Sequence, residues 1–264
     1  MSTGSYNFET LNDTVFQAAR LRQQALAVRG IEADILRSAG IQPGDDVLEL
    51  GCGPGFVSDL LAELAPEGSL YAVEPSPALL AQVVANVRNK PARGLHPIQA
   101  SGDCLPVPDG SIDFSYARFV LQHVPQAETV VSEIHRTLRS GGRFCAVDSD
   151  DGLVVFYPED HRVSQVLRTA QATQGGQGGD RFIGRKLQQM MIQAGFINVK
   201  SRILALTSSE LPFDVLFNIL LGYKASLLGD TIDVKQLFND LSLEVSSGRQ
   251  MVAGGVFIVT GEKA

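Results

Sequence analysis

The segment Val47-Leu48-Glu49-Leu50-Gly51-Cys52-Gly53-Pro54-Gly55 is the part of the chain best equipped for chemistry. An apolar run carrying one acid stops at three glycines on alternate positions. Missing β-carbons let a backbone approach a ligand closely. If a helix begins just after the glycines, its free N–H groups offer positive potential to a carboxylate or phosphate. Further along stand Glu74, Asp103, His123 and Asp148. A carboxylate such as Glu74 can accept from two vicinal hydroxyls. His123, in Gln122-His123-Val124-Pro125, is the residue type that titrates near neutrality, and reads as a general base or an acceptor clamp. Asp148 opens the run Asp148-Ser149-Asp150-Asp151, which can orient a base, bind a cationic acceptor, hold a metal or form a solvated loop.

These residues need elements that bring them together. Val47–Leu50 reads as a buried strand, followed by a helix from Phe56 to Leu64. Strands are predicted at 70–73, 97–100, 112–117 and 143–147, with helices at 78–88 and 127–138 and turns of Gly, Pro and Asp between them. That alternation is the pattern of an open α/β sheet with parallel strands and helices on both faces. In such sheets ligands bind beyond the carboxyl ends of the strands. Each candidate residue follows a predicted strand. Before this core, residues 11–39 read as helix with a break near Gly30. After it come two helix-rich stretches, 163–195 and 213–243, and strands at 199–207 and 255–262. Gly175-Gly176-Gln177-Gly178-Gly179 reads as a loop or hinge. The spacing of Phe213, Leu216, Phe217, Leu220 and Leu221 makes a helical stripe that packs on a core or walls an apolar pocket.

Two ligands compete for the glycine loop. The dinucleotide fingerprint is Gly-x-Gly-x-x-Gly, but its third glycine would fall on Phe56, and here it comes one residue early. Glu49 followed by Gly51-x-Gly53-x-Gly55 instead resembles the first motif of the class I S-adenosylmethionine-dependent methyltransferases. The resemblance continues in order through Glu74, Gly102-Asp103-Cys104, Asp109-Gly110, Asp113-Phe114, Leu121-Gln122-His123-Val124 and Leu138-Arg139-Ser140-Gly141-Gly142, covering about Ile41 to Asp148. It implies a Rossmann-like α/β fold, with a doubly wound seven-stranded sheet in the order 3-2-1-4-5-7-6, strand seven antiparallel, and helical lid insertions. It implies S-adenosylmethionine as cofactor. The cofactor shell would comprise Glu49, Gly51, Cys52, Gly53 and Gly55 in the loop, Glu74, Pro75 and Ser76 after strand two, Gly102, Asp103 and Cys104 after strand three, and Arg118 and Gln122 after strand four. Within it, Glu49 and Gly51 would line the amino-acid end, Glu74 the ribose and Asp103 the adenine. His123 and Asp148 are the candidate catalytic residues, with no metal. Tyr6, Tyr157 and His161 are candidates on the lids, while His96 and His135 read as structural. The helical cover resembles the branch acting on quinones, sterols and natural products, which implies a small, partly apolar acceptor.

Composition agrees with that class. The chain has 264 residues, 44% of them hydrophobic, and a net charge of −7. A nucleic-acid binder needs a basic surface, so no nucleic-acid partner is expected. No run approaches the length of a membrane span, and no secretory leader is visible, so neither membrane insertion nor secretion is expected. Three dispersed cysteines fit a reducing, cytoplasmic setting. The expected organisation is one methyltransferase domain over 1–264: a helical lid at 1–40, a cofactor-binding core at 41–150, and lid or acceptor segments at 151–198 and 208–250. Monomer and homodimer both remain open. So do two alternative functions: a nicotinamide-dependent oxidoreductase, or a regulator or cyclase that uses the same fold without methylating.

Overall fold

A computed structural model describes residues 14–225, 227–228 and 233–264. Tyr6 and the first residues of the expected amino-terminal helix lie outside them. The elements, in chain order, are α1 (Thr14–Ala27), α2 (Arg29–Ala39), β1 (Val47–Leu50), α3 (Ser58–Leu64), β2 (Ser69–Val73), α4 (Pro77–Asn86), β3 (Gly94–Ile98), β4 (Ile112–Arg118), α5 (Ala127–Thr137) and β5 (Leu138–Ser149). Then follow β6 (Val155–Tyr157), α6 (His161–Gly176), α7 (Leu187–Gln193), β7 (Phe196–Thr207), α8 (Phe213–Phe217), a π turn (Asn218–Gly222), α9 (Tyr223–Ala225), α10 (Val234–Ser246) and β8 (Met251–Lys263).

β1 lies inside the sheet because three of its four side chains are apolar and its one acid, Glu49, lines the cleft. All four of its residues are buried. Val47 joins the apolar cluster on one side and Leu48 and Leu50 the cluster on the other, as a two-residue side-chain period requires. Each such side chain contributes about 1.5–3 kcal/mol by leaving water. β1 pairs in parallel with β2 (Leu50 opposite Val73) and with β4 (Leu50 opposite Ala117). β3 and β5 extend the sheet on either flank, also in parallel. β8 is antiparallel to β5, β6 and β7. Ala253 pairs with both Val155 and Thr207, so β6 and β7 occupy opposite edges of β8, and β6 carries on along the edge used by β5. The order 3-2-1-4-5-8-7, with β8 the antiparallel strand, is the expected seven-stranded order with one short strand added.

Helices cover both faces. α5 and α7 pack Val130, Ile134, Leu187 and Met191 on one; α2, α3 and α4 pack Leu36, Leu61 and Val83 on the other. A third cluster joins α6, α8, the π turn and α10 through Val166, Leu216, Phe217, Leu221 and Leu241. The stripe from Phe213 to Leu221 is therefore mainly packing.

Some boundaries depart from expectation. The helix break falls at Val28, two residues before Gly30. β3 starts at Gly94 and ends at Ile98, earlier than predicted. It is an edge strand, half exposed along its length, and has no apolar run to mark it. β5 begins at Leu138, directly on the end of α5. Residues 139–142 bulge from its pairing with β4, which resumes at Arg143. Gly175 and Gly176 are the last turn of α6, and Gly178 seats against Pro125.

Candidate active site

The carboxyl ends of β1, β2 and β4 open onto one cleft of about 820 Å³. That is near the top of the usual range for small-molecule sites, about 300–1,000 Å³. The glycine loop forms one wall. Gly51, Gly53 and Gly55 have φ of +65°, +54° and +88°, a region where side chains are strained. A β-carbon on Gly51 would strike the Val120 side chain, and one on Gly55 would come within 3.0 Å of the Val83 backbone. At Gly53 a β-carbon would meet nothing within 4 Å and would stand in open space. Gly51 and Gly53 line the cleft; Gly55 does not, and serves to let the loop close on α4.

Glu74, at the end of β2, is buried and faces the loop. Its Oε2 accepts from the N–H of Gly53 and its Oε1 from the N–H of Ser76, both at 3.0 Å. Burial raises its pKa and these two donors oppose the rise. Each oxygen keeps a lone pair for a further donor. Glu49 lines the cleft below the loop and accepts from the Ser58 hydroxyl. Burial pushes its carboxyl up to about 8; Ser58 and Arg118 oppose this, while nearby Glu32 and Glu74 add to it. Pro75, Ser76, Gly102 and Asp103 line the rim, with Asp103 exposed. Cys52 lines the cleft as a buried thiol whose pKa is raised by burial, which disfavours a thiolate. Cys104 is exposed and lies off the cleft.

Beyond β4 the chain turns sharply. Phe119 has φ of +56°, uncommon for a bulky residue, and its N–H bonds the carbonyl of Val147. Arg118 is held by a buried ion pair at 3.1 Å to Glu32 of α2, which also accepts from the Tyr116 hydroxyl at 2.6 Å. The turn delivers Gln122 and His123 to the cleft. His123 is half-buried, edge-on to the ring of Tyr223 with centroids 5.1 Å apart. Burial, then the charges of Arg181 and Arg20, hold its pKa well below the ordinary 6.5.

Asp148 is corrected from a reacting group to a support. It is buried beneath the cleft wall, outside the cleft lining, and accepts from the N–H groups of Gln122 at 3.2 Å and Ser149 at 2.8 Å. Its pKa is pushed up to about 7 by burial. The rest of the acidic run is no solvated patch. Asp150 binds Arg185, and Asp151 binds Arg181 and Lys224, each at 2.9 Å. No cationic acceptor is needed to neutralise it. Tyr157 is 70% exposed on β6, and His161 is exposed at the start of α6; neither reaches the cleft. His96 stacks on Tyr71 and His135 meets Phe196 edge-on.

Sequence reasoning expected cover from the segments 1–40 and 208–250 and named Leu220 as a candidate pocket wall, but singled out none of the other residues that form the far wall. Arg20, Leu21, Gln24 and Ala25 of α1 line the cleft, as do Ile219 and Leu220 of the π turn, Tyr223, Lys224 and Arg181. One signal was visible. Lys224 follows the apolar stretch Leu216–Leu221, and a lone lysine there must find an acid. Burial, then Arg181, lowers its pKa to about 8.

Residues 48–146 match the methyltransferase domain family. An uncharacterized 37.1 kDa protein in transposon Tn4556 of Streptomyces fradiae is 33% identical over 174 residues, 64% of this chain and 48% of that protein. The demethylmenaquinone methyltransferase of Geobacillus stearothermophilus is 34% identical over 113 residues, 41% of this chain and 47% of the enzyme. The chain thus spans about half the length of the curated relatives it matches. Among solved structures, the YcgJ protein of Bacillus subtilis superposes with a TM-score of 0.60 at 17% identity, over 86% of this chain and 95% of that one, a likeness of fold. Sheet order, glycine loop and matched domain agree: residues 48–146 of this chain carry a methyltransferase domain on a Rossmann-like fold.

Proposed function

We propose that the chain transfers a methyl group from S-adenosylmethionine to an oxygen, nitrogen or carbon of a small, partly apolar acceptor. The observation that carries this reading is the Glu74 carboxylate. It is fixed by two backbone N–H groups at the mouth of the glycine loop, with a lone pair left on each oxygen. That is what a ribose diol requires, and the open space over Gly53 admits a ligand against the backbone. When bound, the cofactor supplies an electrophilic methyl on a sulfonium. The residues present fit it: Gly51 and Gly53 give close approach, Glu49 faces the cleft below them, and Asp103 stands at the rim.

The protein's own contribution is placement and exclusion of water. α1, the π turn and Tyr223 form a partly apolar cover over the cleft, with Leu21, Ala25, Ile219 and Leu220 lining it beside Arg20 and Gln24. We assign residues 41–150 as the cofactor-binding core and 1–40, 151–198 and 208–250 as lid and acceptor segments of the same domain. A volume of about 820 Å³ leaves room for an acceptor beside the cofactor. A relative named for methylating demethylmenaquinone supports an acceptor of this size and polarity. Three free cysteines support a cytoplasmic setting.

Calorimetric titration with S-adenosylmethionine, S-adenosylhomocysteine and NAD tests the cofactor. The first two should bind and NAD should not. Binding of NAD alone would return the chain to the oxidoreductases.

A further inference from the structure

Gln174, fully buried near the end of α6, sits against the back of His123. Its side-chain nitrogen lies 2.7 Å from the carbonyl oxygen of Gln122. That oxygen only accepts, so the amide must present its NH2 there. The amide oxygen lies 3.5 Å from Nη1 of Arg181, which only donates. Reversing the amide would set oxygen against oxygen on one side and NH2 against guanidinium on the other. Its orientation is therefore fixed by its neighbours. The same NH2 is 3.3 Å from Nδ1 of His123. An amide nitrogen donates and does not accept, so Nδ1 must carry a lone pair. A neutral imidazole holds one proton, which then resides on Nε2. A charged ring would place N–H against N–H, and Arg181 and Arg20 stand close enough to oppose it.

We propose that Gln174 is a positioning residue that holds His123 as its Nε2–H tautomer, so that His123 serves the methyl acceptor as a hydrogen-bond donor and not as a general base. The second half rests on the methyltransferase reading; the first does not. The substrate class follows. The acceptor presents an oxygen able to accept from Nε2–H, such as a phenolate, enolate, carboxylate or carbonyl. Its nucleophilic atom has its lone pair available at neutral pH, and any proton it sheds passes to bulk water once the methylated product leaves the cleft.

Long-range ¹H–¹⁵N correlation spectra of the ligand-free full chain at neutral pH read the tautomer. His123 is assigned among the four histidines by its loss in His123→Gln. The expected pattern is an unprotonated Nδ1 and a protonated Nε2. Gln174→Glu, whose carboxylate accepts from Nδ1–H, should reverse it. Should that variant fail to fold, Gln174→Met removes the donor and should give a mixture of tautomers. Nδ1–H in the wild type, a charged ring, or a pattern indifferent to position 174 overturns the positioning role. The donor role is read in kcat with a methylated acceptor. His123→Gln places an NH2 near the site of Nε2 and should stay within about tenfold of wild type, while His123→Ala loses about 10²–10³, the effect of deleting one preorganised donor. Equal losses in both overturn it. Absence of any methyl transfer would sink the function while leaving the tautomer result standing.

Discussion

Replacing Glu74 by alanine removes an acceptor that does two jobs. Each carboxylate oxygen receives one backbone N–H, from Gly53 and from Ser76, at 3.0 Å. Each also keeps a lone pair for a ribose hydroxyl. Hydrogen bonds to a charged group contribute about 1.5–3 kcal/mol net. Losing the ligand's share should therefore raise the Kd for S-adenosylhomocysteine by roughly 10- to 150-fold. The loop donors face the cleft, where water can replace the lost acceptor, so thermal stability should fall less than affinity. Glu74→Gln separates the two jobs. Its amide oxygen can keep one loop N–H, but its NH2 would oppose the other. It should bind more weakly than wild type although it is isosteric. Calorimetry at neutral pH with a melting curve for each variant measures both. Wild-type affinity in a folded Glu74→Ala protein would refute the assignment of the ribose to Glu74.

Gly53→Val should abolish cofactor binding in calorimetry. A branched side chain at φ +54° is strained by about 1–3 kcal/mol and projects into the open space above the loop. Asp151→Asn should destabilise the protein by about 3–5 kcal/mol in denaturant titration, because Arg181 and Lys224 would keep their buried charges without their carboxylate. Glu49 is protonated more readily in the folded state, with a pKa of about 8 against an ordinary 4.5. The folded state then binds more protons between those values, so this group's contribution to stability falls as pH rises from about 4.5 to about 8 and levels off above it. Glu49→Gln should lose that slope, gaining on the wild type as pH rises; parallel stability curves for the two proteins would contradict the burial argument.

The core was legible because its signals are local. Buried strands such as Val47–Leu50 are short, mainly apolar runs, and each is stopped by the residues that shape the site, Gly51 after β1 and Glu74 after β2. The alternation of strands and helices gave the parallel sheet with helices on both faces, while the strand order came from the resemblance to the methyltransferases. β3 was expected at 97–100 and lies at 94–98, because an edge strand need not be apolar and has no apolar run to fix its bounds. The acidic run from Asp148 to Asp151 was misread for a different reason. Burial and counter-charge are properties of the tertiary fold, and Arg181, Arg185 and Lys224 come from segments 30 or more residues away. Gln174 was invisible for the same reason. It lies 51 residues from His123, on a helix whose pattern gives no hint of which face meets the cleft.

The most direct measurement is incubation of the purified chain with S-adenosylmethionine deuterated in its methyl group and a pool of small metabolites, followed by mass spectrometry. The expected result is a small molecule that gains the labelled methyl while S-adenosylhomocysteine appears in equal amount. Cofactor that binds and stays intact, with substrates consumed and no label transferred, would contradict the account and make the chain a protein that uses this fold without methylating.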